Sequence, residues 1–245
     1  SAESPRRLVI GGATVDLDND GRKEIVIGAG DNIFAYFHTG FAPRTKSVKV
    51  VAGAASRRSI LNSATVVVDL NGDGRDEVIV NTVSRVFVLS WNGSDFVKDS
   101  TPEYSTFFPV SVGNVYGDST KEIVVTALRD SAHKHNIHFY HWSGSQLTAH
   151  DSLLWRLDSV AGTRIIDAVT LADLSGDGKD DLIFFHQPTT NQNYAIAGLS
   201  LSKTGSVITV DTLFNLMVDS NAAPFHAYSN PAVGDLNGNG RPEVV

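Results

Sequence analysis

The chain has no cysteine among its 245 residues, which excludes a disulfide framework and a thiolate metal site. A domain of this size does not need such staples, so the lack of cysteine fixes no compartment. Basic residues are also in deficit: 20 Lys and Arg against 27 Asp and Glu give a formal net charge of −7. A surface of that sign is a poor counterion for nucleic acid and for an anionic membrane surface. No apolar run reaches the roughly 18–20 residues of a membrane span. No signal peptide is visible, and Ser1 is not a start methionine, as expected of a processed or trimmed chain. No stretch keeps a helical apolar period over three turns. What remains is 42% hydrophobic and 19% charged residues, enough apolar surface to build a packed core.

One pattern recurs five times: an apolar strand, an Asp/Asn/Gly loop, an acid and a second apolar strand. The copies read ATVDLDNDGRKEIVIG from Ala13, ATVVVDLNGDGRDEVIVN from Ala64, VSVGNVYGDSTKEIVVT from Val110, VTLADLSGDGKDDLIFF from Val169 and AVGDLNGNGRPEVV from Ala232. Their first loop residues, Asp16, Asp69, Asn114, Asp173 and Asp235, are 53, 45, 59 and 62 residues apart. A third strand ending in an aromatic and a turn follows in three copies: Asn32 to Gly40, Arg85 to Gly93 and Asn136 to Gly144. The fourth copy, Tyr194 to Gly205, is looser, and fourth strands are read at Ser47 to Val51 and Val207 to Leu213. β-Branched and aromatic residues fill these runs and turn residues bound them.

Four strands per repeat is the composition of a propeller blade, whose two faces are covered only by neighbouring blades. The expected fold is all-β: a single β-propeller domain over residues 1–245, built of four-stranded antiparallel blades. Blades are placed at about 8–55, 60–105, 108–158 and 165–218, with part of a fifth at 228–245. A ring closed by a partial blade is not expected, so the chain reads as a fragment of a six- to eight-bladed propeller. Closure by strand exchange between the termini is the alternative.

The loop chemistry points to a hard cation. Asp16, Asp18, Asp20 and Glu24 occupy loop positions 1, 3, 5 and 9, the Arg22 carbonyl stands at position 7, and Gly21 at position 6 allows the sharp turn. Several carboxylates with a carbonyl and water make an oxygen cage of six or seven ligands, which suits calcium. The acid at position 9 opens a strand, so this is a hairpin loop and not a helix–loop–helix sensor. The second site offers Asp69, Asn71, Asp73, Arg75 and Glu77; the fourth offers Asp173, Ser175, Asp177, Lys179 and Asp181; the fifth offers Asp235, Asn237, Asn239, Arg241 and Glu243. In the third, Tyr116 replaces a ligand and Ser119 replaces the turn glycine, so the loop from Asn114 to Glu122 is expected to be weak or empty. About four calcium sites are expected, each adding about 0.5–2 kcal/mol at millimolar calcium.

These Asp-x-(Asp/Asn)-x-(Asp/Asn)-Gly-x-x-(Asp/Glu) loops, at Asp16–Glu24, Asp69–Glu77, Asp173–Asp181 and Asp235–Glu243, resemble the FG-GAP or VCBS repeat family known from the propeller of integrin α-subunits. The resemblance covers nearly the whole chain. It implies a propeller fold and a function among adhesion receptors, lectins, surface proteins or parts of polysaccharide lyases. The Phe-Gly…Gly-Ala-Pro motif that names the family is largely degraded here, so the sequence carries no integrin assignment.

Binding residues are expected on the connections between second and third strands and between blades. These are Gly53 to Ser63, Asp99 to Pro109, Arg129 to Asn136, Ser159 to Asp167, Gln187 to Asn193 and Asp219 to Asn230. They carry the ligand candidates Arg57, Arg58, Tyr104, Phe107, Phe108, Phe225, His226 and Tyr228. His133, His135, His138 and His141 look like a metal cluster, but residues three apart on a strand point to opposite faces, so no shared metal is expected. No catalytic residue is assigned: the chain has no nucleophile elbow, phosphate loop or His-Glu-x-x-His motif. Asn92-Gly-Ser94 is a glycosylation sequon. The expected function is an extracellular or cell-surface adhesion propeller that binds a protein or glycan through the face opposite the calcium loops. It takes neither nucleic acid nor membrane insertion, and it can be part of a larger assembly. The rivals are a polysaccharide lyase that abstracts a sugar proton and an architectural unit of a surface filament.

Overall fold

The computed structural model describes residues 9–29, 32–37, 44–50, 65–82, 85–103, 110–118, 120–126, 137–153, 166–186, 195–217 and 231–244. Among these residues every regular element is a strand. The first sheet contains β1 (Val9–Val15), β2 (Glu24–Ala29), β3 (Asn32–Phe37) and β4 (Arg44–Lys49). The second contains β5 (Val66–Val68), β6 (Glu77–Asn81), β7 (Val86–Trp91) and β8 (Phe96–Ser100). The third contains β9 (Ser111–Gly113), β10 (Glu122–Thr126), β11 (Ile137–Trp142) and β12 (Leu147–Leu153). The fourth contains β13 (Ile166–Ala172), β14 (Asp181–His186), β15 (Ala195–Thr204) and β16 (Val207–Met217). A two-stranded sheet of β17 (Val233–Gly234) and β18 (Glu243–Val244) follows.

In each four-stranded sheet the spatial order is the chain order, and neighbours such as β1–β2, β6–β7, β9–β10 and β14–β15 pair antiparallel. This is the all-β, meandering four-stranded blade of a propeller. Burial explains the sequence pattern. Every residue of β6 and of β10 is buried, so these strands are covered on both faces and read as continuous apolar runs rather than alternating ones. The fourth strands are far more open: β8 has no buried residue and β12 none.

The chain falls into two compact units. The first holds β1 to β8 and the turn from Trp142 to Thr148. Its core includes Leu17, Val26, Ile33, Val78, Leu89 and Trp91, with the Phe37 and Trp91 rings 4.7 Å apart. The second unit spans Phe108–His141 and Ala149–Val245, and its core includes Val115, Phe139, Leu182, Phe184 and Leu199.

Several strand boundaries differ from the sequence reading. β4 runs Arg44–Lys49, opening three residues before Ser47 and ending before Val51. β16 runs past Leu213 to Met217 and pairs along the whole of β15. That hairpin carries a bulge between Gly198 and Leu199, where the Phe214 ring occupies the space a Cβ on residue 198 would need. Asp99 and Ser100 end β8 and Ile166 and Asp167 open β13, so these four residues are strand, not connection. Ladder pairing extends strands wherever a partner backbone is present, which local turn propensity does not reveal.

Candidate cation-binding loops

All five acidic loops sit on the same hairpin frame. The acid at position 9 pairs with the residue just before position 1 in every copy: Val15 with Glu24, Val68 with Glu77, Gly113 with Glu122, Ala172 with Asp181 and Gly234 with Glu243. Its carboxylate then accepts the backbone N–H of position 2. The donors are Leu17 at 2.7 Å, Leu70 at 2.9 Å, Val115 at 3.0 Å, Leu174 at 2.9 Å and Leu236 at 2.8 Å. The position 1 side chain accepts N–H groups further on in the turn, as Asp69 does from Gly72 at 2.7 Å and Gly74 at 2.9 Å. The position 5 side chain accepts from position 7: Arg22, Arg75, Lys179 and Arg241 each donate their N–H to Asp20, Asp73, Asp177 and Asn239.

This frame uses left-handed backbone at two positions in the first, second, fourth and fifth loops. Gly21, Gly74, Gly178 and Gly240 at position 6 have positive φ, as the sequence pattern implied. So do position 4 residues, Gly72, Gly117, Gly176, Gly238 and Asn19, the last at φ 57°. The sequence reading missed this second position. Its signal was present, since glycine or asparagine occupies it in all five copies.

The frame consumes only part of the carboxylate capacity. Asp18 Oδ1, Glu122 Oε1 and Asp181 Oδ1 are buried and accept no hydrogen bond. In the first loop, oxygens of Asp16, Asp18 and Glu24 lie within 4.8 Å of one another. Calcium–oxygen distances of about 2.3–2.6 Å place ligands on one ion up to about 5 Å apart, so this trio fits one calcium ion. Electrostatics agrees. Burial, and then the neighbouring Asp18, Asp16 and Asp20, raise the Glu24 carboxyl above its ordinary range. Burial likewise pushes Glu77 up to about 7, with Asp73 and Asp69 adding to it. Carboxylates gathered this way favour a proton or a cation.

The other loops are less open. Asn71 donates to Asp73 at 3.2 Å, and Asn237 donates to Glu243 Oε1 at 2.6 Å, so each amide would have to turn its oxygen inward to serve a cation. In the fourth loop the Lys179 ammonium grips Asp177 at 2.7 Å and holds its carboxyl below the usual range. The third loop departs most. Tyr116 turns its ring to Phe139 and His150, with centroids at 5.8 and 5.3 Å, in place of a ligand oxygen. The fourth loop also docks on the third. Asp180 N–H donates to the Asn114 carbonyl and Asn114 N–H to the Asp180 carboxylate, both at 2.8 Å. The acid pair at 180 and 181 marks that contact in the sequence and was read only for its second member.

All eight ligand-binding candidates lie outside the described residues: Arg57, Arg58, Tyr104, Phe107, Phe108, Phe225, His226 and Tyr228. So do His133, His135 and Ser119. His138 and His141 lie on β11, and the His141 ring centroid is 6.3 Å from that of His150. Asn92 is exposed in the turn between β7 and β8, where its side-chain oxygen accepts the N–H groups of Ser94 and Asp95. An open cleft of about 210 Å³ lies beside the second loop, lined by Asp73, Arg75, Asp76, Trp91 and Asn92 among others.

Residues 16–80 match the family model of the FG-GAP-like repeat. They span the first acidic loop through the second and its following strand. No curated protein matches the chain. Residues 16–80 thus carry an FG-GAP-like repeat, and the same loop frame recurs on the other blade-type sheets.

Proposed function

We propose that the chain is a calcium-stabilised propeller module that binds a protein or glycan at an extracellular or cell surface. The observation that carries the calcium reading is the first loop, where oxygens of three acids converge within 4.8 Å and one of them, Asp18 Oδ1, is buried without a hydrogen bond. A buried carboxylate cluster without a counter-charge is unfavourable, and a hard dication with oxygen ligands relieves it. Asp16, Asp18, Asp20, the Arg22 carbonyl and Glu24 would hold the first ion. The sets around Asp69 to Glu77, Asp173 to Asp181 and Asp235 to Glu243 would hold the others, with affinity falling as carboxylates are lost to amides or to Lys179.

FG-GAP repeats are typical of extracellular or surface proteins, and they suggest a propeller-type binding domain. No helix among the described residues is long and apolar enough to cross a membrane. Rigid blades with loops pinned by ions give a scaffold whose opposite connections are free to vary, which supports a binding role for the face away from the ions.

Thermal unfolding with millimolar calcium and with a chelator tests the first half of the reading. A saturable rise in melting temperature is expected, and magnesium should reproduce little of it because it demands a tighter octahedral shell. No rise would sink the calcium reading. Glycan and receptor arrays probed with the calcium-loaded chain test the second half, and alanine substitution of Arg57, Tyr104, Phe108 and Phe225 would then map the face.

A further inference from the structure

The third loop keeps the frame bonds of its siblings at positions 1, 5 and 9 although it has lost ligands. Glu122 accepts the Val115 N–H, Asn114 accepts the Gly117 N–H at 2.7 Å, and Asp118 accepts the Thr120 N–H at 2.8 Å. Glu122 is fully buried, and its second oxygen accepts no hydrogen bond. Elsewhere in the repeat that oxygen is the one that would face a metal. A buried, unneutralised carboxylate is expensive, so something else must stand opposite it.

That something is a side chain two strands away in the same sheet. His150, on β12, places Nδ1 3.7 Å from Glu122 Oε1. Its other ring nitrogen, Nε2, is 2.9 Å from the ammonium of Lys203 on β15. An ammonium only donates, so Nε2 accepts and the ring proton sits on Nδ1, on the side of Glu122. Lys203 is also bonded to the Asp151 carboxylate and lies 5.2 Å from the centroid of the Tyr116 ring. Tyr116 is the residue that replaced the position 3 ligand. Its aromatic face, useless to calcium, is an acceptable neighbour for an ammonium. Lys203, Asp151 and His150 are each less than a third exposed, at 21%, 15% and 28%. Lys203 also lowers the Glu122 carboxyl against the upward push of burial. The fourth loop offers a contrast. Its Lys179 comes from the loop itself and grips the exposed Asp177, leaving the buried Asp181 Oδ1 open.

We propose that the third repeat carries its own cation: the Lys203 ammonium, relayed to Glu122 through His150 and seated on Tyr116, takes the place of the metal and pins the β9–β10 hairpin to the β15–β16 hairpin. The loop then folds without calcium, while its siblings respond to it. The comparison with the siblings rests on the calcium reading above; the role of Lys203 does not.

Hydrogen exchange of the intact chain, read by mass spectrometry in calcium and in chelator, tests this. In the wild type, the segment 114–122 should show the same protection in both conditions, while segments 16–24 and 69–77 gain protection with calcium. Lys203→Met keeps the stem and removes the charge. It should lower protection of the Val115 and Gly117 amides about tenfold in both conditions, and Lys203→Arg should restore part of it. Adding Tyr116→Asp to Lys203→Met should make segment 114–122 calcium-responsive. Should Lys203→Met fail to fold, Asp151→Asn, which releases the lysine from its carboxylate anchor, gives the same readout. A third loop that gains protection with calcium in the wild type overturns the proposal. So does a folded Lys203→Met variant with unchanged protection at 114–122. If no loop responds to calcium, the calcium reading fails by itself, and the loss seen in chelator on Lys203→Met still decides the role of the lysine.

Discussion

Replacing Glu77 by glutamine should stabilise the chelated protein at pH 8 and, in the same variant, abolish the calcium response of the second loop. Glu77 is 1% exposed and accepts the Leu70 N–H at 2.9 Å. Burial, reinforced by Asp73 and Asp69, lifts its carboxyl from the usual 4.5 to about 7. A folded-state value above the unfolded one means that the folded chain holds the proton more tightly. The group therefore contributes stability that is complete below about pH 4.5 and is lost as pH rises through about 7. By pH 8 the full penalty applies, and the interval corresponds to about 3 kcal/mol at most. Glutamine keeps an oxygen for Leu70 and has no charge to bury. The variant should gain about 1–3 kcal/mol in chelator, or about 2–4 °C in melting temperature for each kcal/mol in a chain of this size. At pH 5 the gain should shrink towards zero, because wild-type Glu77 is then largely protonated. Calcium neutralises the same carboxylate in the wild type and adds about 0.5–2 kcal/mol per site, an increment the amide cannot draw on. Denaturant titrations in a two-by-two design, calcium or chelator at pH 5 or 8, measure all of this. A variant that loses stability equally in all four conditions would refute the reasoning, since the carboxylate would then be acting only as a hydrogen-bond acceptor.

Three further outcomes are expected. Glu122→Gln, unlike Glu77→Gln, should leave the calcium increment intact, as calorimetric titration would show, and should gain less at pH 8 than Glu77→Gln does, because Lys203 already lowers the Glu122 carboxyl against burial. Gly74→Ala should cost about 1–2 kcal/mol through backbone strain alone, since φ is +85° and the space around it is open; Gly234→Ala, equally open but without positive φ, is the matched control and should cost little in chemical denaturation. Phe184→Ala should cost about 3–5 kcal/mol, because the ring is fully buried in the core of the second unit and its removal leaves a cavity.

The fold was legible because the repeat was. Gly-rich loops between β-branched runs mark hairpins, while the common register that sets Val15 opposite Glu24, Val68 opposite Glu77 and Gly234 opposite Glu243 comes from the structure. Strand ends were less legible, since β16 is prolonged by ladder bonds to β15 and not by its own composition. The candidate metal residues could be placed at their positions, but their availability could not. Lys179 closing on Asp177, or Asn237 closing on Glu243, depends on rotamers and neighbours that no spacing encodes. Tyr116 shows the same limit from the other side. At position 3 it reads as a lost ligand, and only the approach of Lys203 from a sheet more than fifty residues away, counted from His150, gives it a role.

The hydrogen-bond frame and the cation demand must be separated to understand what chelation does. One oxygen of the position 9 acid caps the position 2 N–H in all five loops, including the third and the fifth, where the charge count is lowest. That bond needs no metal, so withdrawing calcium should leave the hairpins folded. What withdrawal exposes is the other oxygen, buried beside like charges. The cost is a charge cost and must fall when the carboxyl is protonated. The melting-temperature difference between calcium and chelator should therefore be small at pH 5, where Glu77 retains its proton in the chelated chain and the raised Glu24 carboxyl acts in the same direction, and several degrees larger at pH 8. Calcium binding at pH 5 must also displace that proton, which lowers affinity in the same direction. Scanning calorimetry at the two pH values decides it. An equal calcium shift at both would move the response to the exposed acids Asp20 and Asp73, and the buried acids would be left with the frame alone.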